Sequence, residues 1–179
     1  MPRIFTGLEV PPEIASPLSA LRGGLPGARW IDPENYHITT RFIGDIDDAL
    51  AREIAFALGQ VRRRGFDLHI DGLSSFGGRK PRAVIASVSP ASALLELQAE
   101  HERLLQRLGL EPEKRKFTPH ITLARLRGET TNRDVADYLT ARAPVRSPPF
   151  TVGQFVLFSA RASVGGGPYV VEAAYPLAA

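Results

Sequence analysis

Two stretches of this chain set a histidine and a threonine two residues apart. They are "NYHITTRFIG", with His37 and Thr39, and "KFTPHITLARL", with His120 and Thr122. The chain has four histidines, so half of them occupy the same H-I-T setting. Imidazole titrates near neutrality and can act as general acid or general base. A hydroxyl beside it can donate a hydrogen bond to a non-bridging phosphate oxygen and help carry charge in a transition state. Two imidazoles and two hydroxyls facing each other make up the set that splitting a phosphodiester requires. One ring deprotonates the attacking water, and the other protonates the departing alkoxide.

Side chains alternate along a strand, so His37 and Thr39 share one face while Ile38 and Thr40 take the other. In the same way His120 and Thr122 face opposite to Ile121 and Leu123. Five residues after each histidine stand Phe42 and Arg125. An odd offset turns both away from the histidine face in a regular strand. Strand twist, a bulge or the strand end would bring them to the rim, where a phenyl ring and a guanidinium can sandwich a nucleobase. Otherwise Phe42 is core and Arg125 a solvated charge. Arg41 has the parity to face the site or simply lies on the surface. His69, within a strand, and His101, on a helix, lack a following threonine and read as structural or surface residues.

The elements that must position these groups can be read from the pattern. Residues 3–10 form a strand and 11–23 a proline-started helix. Strand 36–43 leads into a helix over 47–64, then strands 65–73 and 82–88 joined by "SSFGGRKP". An amphipathic helix covers 91–109, with Leu94, Leu97, His101, Leu104, Leu105 and Leu108 on one side. Strand 119–126, helix 131–143 and strands 149–159 and 168–177 follow, the last two joined by "ARASVGGG". The order of elements after His37 repeats after His120. This predicts an internal duplication within one bilobal domain over residues 1–179, with the histidines at equivalent points of two facing lobes.

The composition limits other chemistries. With no cysteine, disulfides, thiolate metal sites and cysteine nucleophiles are excluded. No carboxylate or third histidine accompanies either motif at ligand spacing, so no metal is expected. No Walker loop, dinucleotide fingerprint or G-x-S-x-G elbow occurs, so no cofactor is expected. No apolar stretch reaches membrane-span length and no signal region is evident, giving a cytoplasmic expectation with no membrane partner. Net charge is +3, but the 22 basic residues include only three lysines. Arginine suits phosphate and stacks on bases, which permits a nucleic-acid partner. The loops "FGGRKPR" (76–82) and "EKRKFTPH" (113–120) are cationic. The first reads equally as a hairpin connection, the second as a solvated loop.

These residues resemble a known family across almost the whole chain. "RIFTGLEVPPEI", "RWIDPENYHITTRFIGDI", "SSFGGRKPRAVIASV", "KFTPHITLARL" and the closing "FTVGQFVLFSARASVGGGPYVVEAAYPL" are similar to the 2H phosphoesterases, specifically the RNA 2',3'-cyclic phosphodiesterases, also called 2'-5' RNA ligases. Thr40 departs from that pattern, which has a hydrophobic residue there. The resemblance implies an α+β, bilobal duplicated fold, with two antiparallel sheets flanking a central cleft and helices outside. It also implies metal-independent hydrolysis of an RNA 2',3'-cyclic phosphate end to a 2'-phosphomonoester, with reversible 2'-5' ligation. His37 and His120 would be the catalytic pair, Thr39 and Thr122 the phosphate ligands, and Arg125 and Phe42 further substrate contacts. His37 as the acid on O3' and His120 as the base on water is one assignment; the symmetry leaves the reverse open. The implied partner is RNA with a cyclic phosphate end, tRNA fragments included, or a small cyclic nucleotide, bound by a monomer. A 2'-5' oligonucleotide substrate and a non-catalytic RNA-binding module are the competing readings.

Overall fold

Each H-I-T segment opens a strand, and each of these strands is followed by a helix whose first turn is capped by a side chain. The computed structural model describes residues 3–160 and 167–179. In order they form β1 (Arg3–Glu9), α1 (Pro12–Ser19), β2 (Ala28–Trp30), a 3₁₀ turn (Pro33–Asn35) and β3 (His37–Asp45). Then come α2 (Asp48–Leu58), β4 (Phe66–Leu68), β5 (Ile70–Phe76), β6 (Ala83–Val88) and α3 (Ser92–Arg107). The chain ends with β7 (His120–Leu126), α4 (Asn132–Arg142), β8 (Phe150–Val152), β9 (Gln154–Ala160) and β10 (Tyr169–Pro176). The Asp47 carboxylate accepts from the Leu50 amide at 2.8 Å to start α2, and Thr131 with Asp134 forms a reciprocal capping box on α4.

The α+β class is as expected, and several boundaries move for physical reasons. The helix expected over 47–64 stops at Leu58, where Gly59 lowers helix propensity and the last carbonyls take short-range turn bonds. Arg63 is then free of the helix and reaches Glu96 and Glu100 on α3. The helix expected over 11–23 ends at Ser19. Strands 65–73 and 149–159 each divide, at His69 and at Gly153. Their first three residues leave the main sheet and pair with each other, Asp67 opposite Thr151. The "ARASVGGG" turn lies, from 161 to 166, outside the described residues.

The main sheet runs β10-β9-β1-β3-β7-β6-β5, with β2 added on β7, and every pairing is antiparallel. It consists of two antiparallel halves, because β3 and β7 meet through one pair only, Ile38 opposite Ile121. Each half takes its hairpin from the other part of the chain: β9–β10 lie beyond β1 and β3, and β5–β6 beside β7. One core lies between the sheet and the helices, and it includes Ile38, Ile121, Leu68, Leu97, Leu105 and Phe155. Gly7 lets β1 lie close against β3; a Cβ there would stand 2.6 Å from the Ile38 carbonyl oxygen.

β3 and β7 share one irregularity. Gly7 is opposite Thr39 but Thr6 is opposite Arg41, so β3 carries an extra residue at this point. Ile85 is opposite Thr122 but Val84 is opposite Ala124, so β7 does the same. Burial follows in step: Thr40 and Arg41 are both buried, as are Leu123 and Ala124, and an exposed residue comes next in each strand. A bulge of this kind shifts the alternation by one, so Phe42 and Arg125 turn to the histidine face.

Beneath the β3 bulge lies a polar scaffold. Thr6 donates to the Arg41 carbonyl oxygen at 3.4 Å, Thr40 lies 2.7 Å from Thr6, and His101 Nδ1 lies 2.9 Å from Thr40. Continuity of the chain makes His101 the donor at Nδ1, while its Nε2 has no partner among the described residues. Burial, with the Arg63 charge, holds His101 down at about 3, so it stays neutral. This explains Thr40: a core histidine below it requires a hydroxyl. Arg41, which the sequence placed on the surface or in the site, is instead buried and paired with Glu102 of α3. Burial pushes the Glu102 carboxyl up. Its bonds from Arg41, Gln106 and the Glu113 amide outweigh this and hold it below its ordinary value.

Replacing Thr40 by Val leaves the buried His101 N–H unpaired and should lower unfolding free energy by about 1–3 kcal/mol in urea titrations. His101 ionises near 6.5 when unfolded but near 3 when folded. Its contribution is therefore complete above pH 6.5 and is lost as pH falls toward 3. The double variant Thr40→Val/His101→Leu should show a flatter acid limb than the wild type. Glu102→Leu strands the Arg41 guanidinium and should cost about 3 kcal/mol in the same titration.

Candidate active site

The site begins with two isoleucines. Ile38 and Ile121 are fully buried and pair across the junction of the two half-sheets. Because side chains alternate, His37, Thr39, His120 and Thr122 all stand on the opposite, open face, each half-buried. Continued by one residue on either side, the register sets His37 beside Thr122 and Thr39 beside His120. The two imidazoles thus occupy diagonal corners of a four-residue patch, with the hydroxyls at the other two.

Both rings are held in the same way. His37 Nδ1 lies 2.9 Å from the Asn35 carbonyl oxygen, and His120 Nδ1 lies 2.6 Å from the Thr118 carbonyl oxygen. Each carbonyl is two residues upstream of its histidine. A carbonyl only accepts, so Nδ1 carries the proton in both rings and Nε2 has the lone pair. Aromatic rings fix the planes. Around His37, Phe5 is at 4.9 Å, Phe158 at 5.6 Å and Tyr169 edge-on at 4.8 Å, and Phe76 meets His120 edge-on at 4.7 Å. Phe5, Phe158 and Tyr169 form a small apolar cluster separate from the main core. A cavity of about 390 Å³ adjoins it, lined by Asn35, Tyr36, Phe158 and Tyr169 among others.

Burial lowers both imidazoles. His37 is brought down to about 4, against the opposing bond to Asn35 and with the charges of His120 and Arg125 lowering it further. His120 is lowered by burial, opposed by its bond to Thr118 and assisted by Arg125. Arg125 therefore acts electrically on both rings, although it is exposed and lies five residues along β7. Phe42 is 47% exposed at the corresponding place on β3.

The remaining candidates fall outside this patch. His69 is exposed at the break between β4 and β5, and His101 is in the core. Loop 76–82 is the turn of the β5–β6 hairpin, and 113–120 leads into β7. Sequence reading missed the aromatic walls and the two carbonyl anchors. The walls come from hairpins remote in sequence, and a carbonyl has no residue-type signal. Among the described residues, no three His, Asp or Glu side chains gather as a metal site would require.

The chain matches the family described as LigT like Phosphoesterase twice, over residues 8–86 and 85–169. The RNA 2',3'-cyclic phosphodiesterase of Geobacillus stearothermophilus is 34% identical over 158 residues, covering 86% of this chain and 49% of that protein. Its counterpart in Aeropyrum pernix is 39% identical over 107 residues, covering 59% of this chain and 60% of that protein. These matches span about half to three-fifths of the curated relatives' length. A crystal structure of Escherichia coli LigT complexed with 3'-AMP superposes with a TM-score of 0.75 at 23% identity, covering 99% of both chains. TT0787 of Thermus thermophilus superposes at 0.77 with 22% identity and 97% of each chain covered. With nearly its whole length matched and the same fold in these neighbours, this chain belongs to the LigT-like phosphoesterase family.

Proposed function

We propose that the protein opens 2',3'-cyclic phosphate ends of RNA to 2'-phosphomonoesters by metal-independent, two-histidine acid/base catalysis within one bilobal, internally duplicated domain. The observation that carries this reading is the matched pair of imidazoles. Each has Nδ1 tied to a backbone carbonyl, which leaves Nε2 as the lone-pair nitrogen, and the register sets each ring beside a threonine of the other strand. The names of the relatives, RNA 2',3'-cyclic phosphodiesterase, support the same substrate.

In this mechanism His120 Nε2 takes a proton from water as its oxygen attacks phosphorus. His37 Nε2–H gives a proton to O3' as the P–O3' bond breaks, leaving the phosphate on O2'. Thr39 and Thr122 donate to the non-bridging oxygens, and Phe42 and Arg125 flank the terminal base. His37 takes up its proton from solvent as the substrate binds. An anion beside a ring walled by Phe5, Phe158 and Tyr169 is poorly screened, so it raises this ring's pKa more than that of His120. A 5'-hydroxyl in place of water gives a 2'-5' linkage through the same steps.

The test supplies 2',3'-cyclic AMP and an oligonucleotide with a 2',3'-cyclic phosphate end, in EDTA, and identifies the product. A 2'-phosphate is expected, and His37→Ala and His120→Ala should each lower kcat by roughly 10²–10⁴-fold. No turnover of either substrate, or a 3'-phosphate product, overturns the reading. On an aryl phosphodiester, whose leaving group needs no acid, His37→Ala should lose much less than His120→Ala.

The pH dependence follows from the free-enzyme ionisations. Where both lowered rings are charged at low pH no base remains, and once both are neutral no acid remains. The profile of kcat/KM should be a bell with both flanks below 6.5, while bound phosphate moves the kcat bell to higher pH. A kcat/KM still rising at pH 8 removes the imidazoles from the rate.

A further inference from the structure

The short strand β2 lies off the main strand path and pairs with β7. In that register Ala28 is opposite Leu126, Arg29 opposite Arg125, and Trp30 opposite Ala124. Residues directly opposite in an antiparallel pair present their side chains on one face. The bulge has already turned Arg125 to the histidine face, so Arg29 stands beside it there. Residues directly opposite on neighbouring strands are close neighbours, so two guanidiniums share this part of the face. Two residues beyond Arg125, just past the end of β7, stands exposed Arg127, whose amide bonds to the Gly27 carbonyl oxygen at 3.3 Å. Thr122, Arg125 with Arg29, and Arg127 form a line leading from the proposed phosphate site to the end of β7.

The other half of the site carries the opposite character. The residue across from His37 on β1 is exposed Glu9, and the place matching Arg125 on β3 is Phe42. A polyanion crossing this face is drawn to one side only. A 2',3'-cyclic phosphate is by its chemistry a 3' end, so an RNA chain bearing it leaves the site in one direction, toward its 5' side. A one-sided cationic line suits a substrate that extends one way.

We infer that the β2–β7 ribbon is the track for the RNA chain upstream of the terminal nucleotide, with Arg29 and Arg127 taking the phosphates beyond the one that reacts. This rests on the reading of the site as a cyclic phosphodiesterase centre. Arg125 stays with the terminal nucleotide, and the two neighbouring arginines confer preference for an oligonucleotide over a mononucleotide.

The test compares kcat/KM for 2',3'-cyclic AMP and for a five-nucleotide oligoadenylate with the same end, at 50 and 200 mM salt. Two phosphate contacts to a single strand predict an oligonucleotide advantage that shrinks about sevenfold between these salt concentrations. The double variant Arg29→Gln/Arg127→Gln should reduce the oligonucleotide-to-mononucleotide ratio by about tenfold and remove most of its salt dependence. Arg29→Lys, which keeps the charge, should restore much of it. Arg52→Gln/Arg107→Gln, the same charge change on the exposed helices α2 and α3, should leave the ratio in place. Equal kcat/KM for both substrates at low salt, or a ratio unmoved by the first double variant, overturns the track while the cyclic phosphodiesterase reading stands. If neither substrate turns over, that reading fails instead. The track is then decided by the affinity of a labelled 2'-phosphorylated oligoadenylate, which the Arg29/Arg127 variant should weaken about tenfold and which an unchanged affinity would refute.

Discussion

The geometry of this protein depends on burying two isoleucines against each other. Ile38 and Ile121 are the only residues through which β3 and β7 pair, and both are fully buried. Their burial decides which way the neighbouring side chains point, because a strand has a period of two. A slip of one residue in either strand would send a histidine and a threonine into the core and two isoleucines to the surface, at a cost of several kcal/mol. The open polar patch and the closed apolar seam are two sides of one constraint. Pairing β4 with β8 adds a second seam between the same two parts of the chain, so the halves cannot pivot about the isoleucine pair alone.

What could be read from the sequence follows from how local each cause is. The H-x-T spacing, the alternation around it and the helix starts at Asp47 and Thr131 depend on neighbours a few residues away, and all were legible. The bulges were not, since an extra residue in β3 exists only relative to β1, and one in β7 only relative to β6. Arg41 shows the consequence. Its offset from His37 gave it the site's parity, yet the bulge turns it inward to Glu102. The same bulge turns Phe42 outward. Thr40 and His101 form a comparable case: each looked unremarkable or misplaced alone, and 61 positions apart they are hydrogen-bonded neighbours.

The two motif histidines match in tautomer but differ in surroundings. Both give Nδ1–H to a carbonyl two residues upstream, and this leaves Nε2 as the lone-pair nitrogen in each. Among the described residues, His37 has three aromatic neighbours and His120 has one. For the proposed chemistry this difference is useful, because two identical rings would compete for a single proton. A ring in apolar surroundings is the more reluctant to ionise in the empty site and the more responsive to an anion placed against it. Unequal walls around equal anchors therefore let one incoming phosphate divide the two roles.

The walls also explain why neither half can be considered alone. Phe158 and Tyr169, which flank His37, belong to the β9–β10 hairpin, and Phe76, which meets His120, belongs to β5–β6. Each hairpin is thus donated by the part of the chain that carries the other histidine. If the two segments arose by duplication, as we propose, the copies did not merely dock. They exchanged the strands that shield each other's imidazole, and the core beneath them became continuous. An isolated segment would lack the aromatic rings that the other part's hairpin brings against its histidine, as well as the partner isoleucine that fixes its register. Pairing of the two motifs is therefore a condition for forming either half of the site.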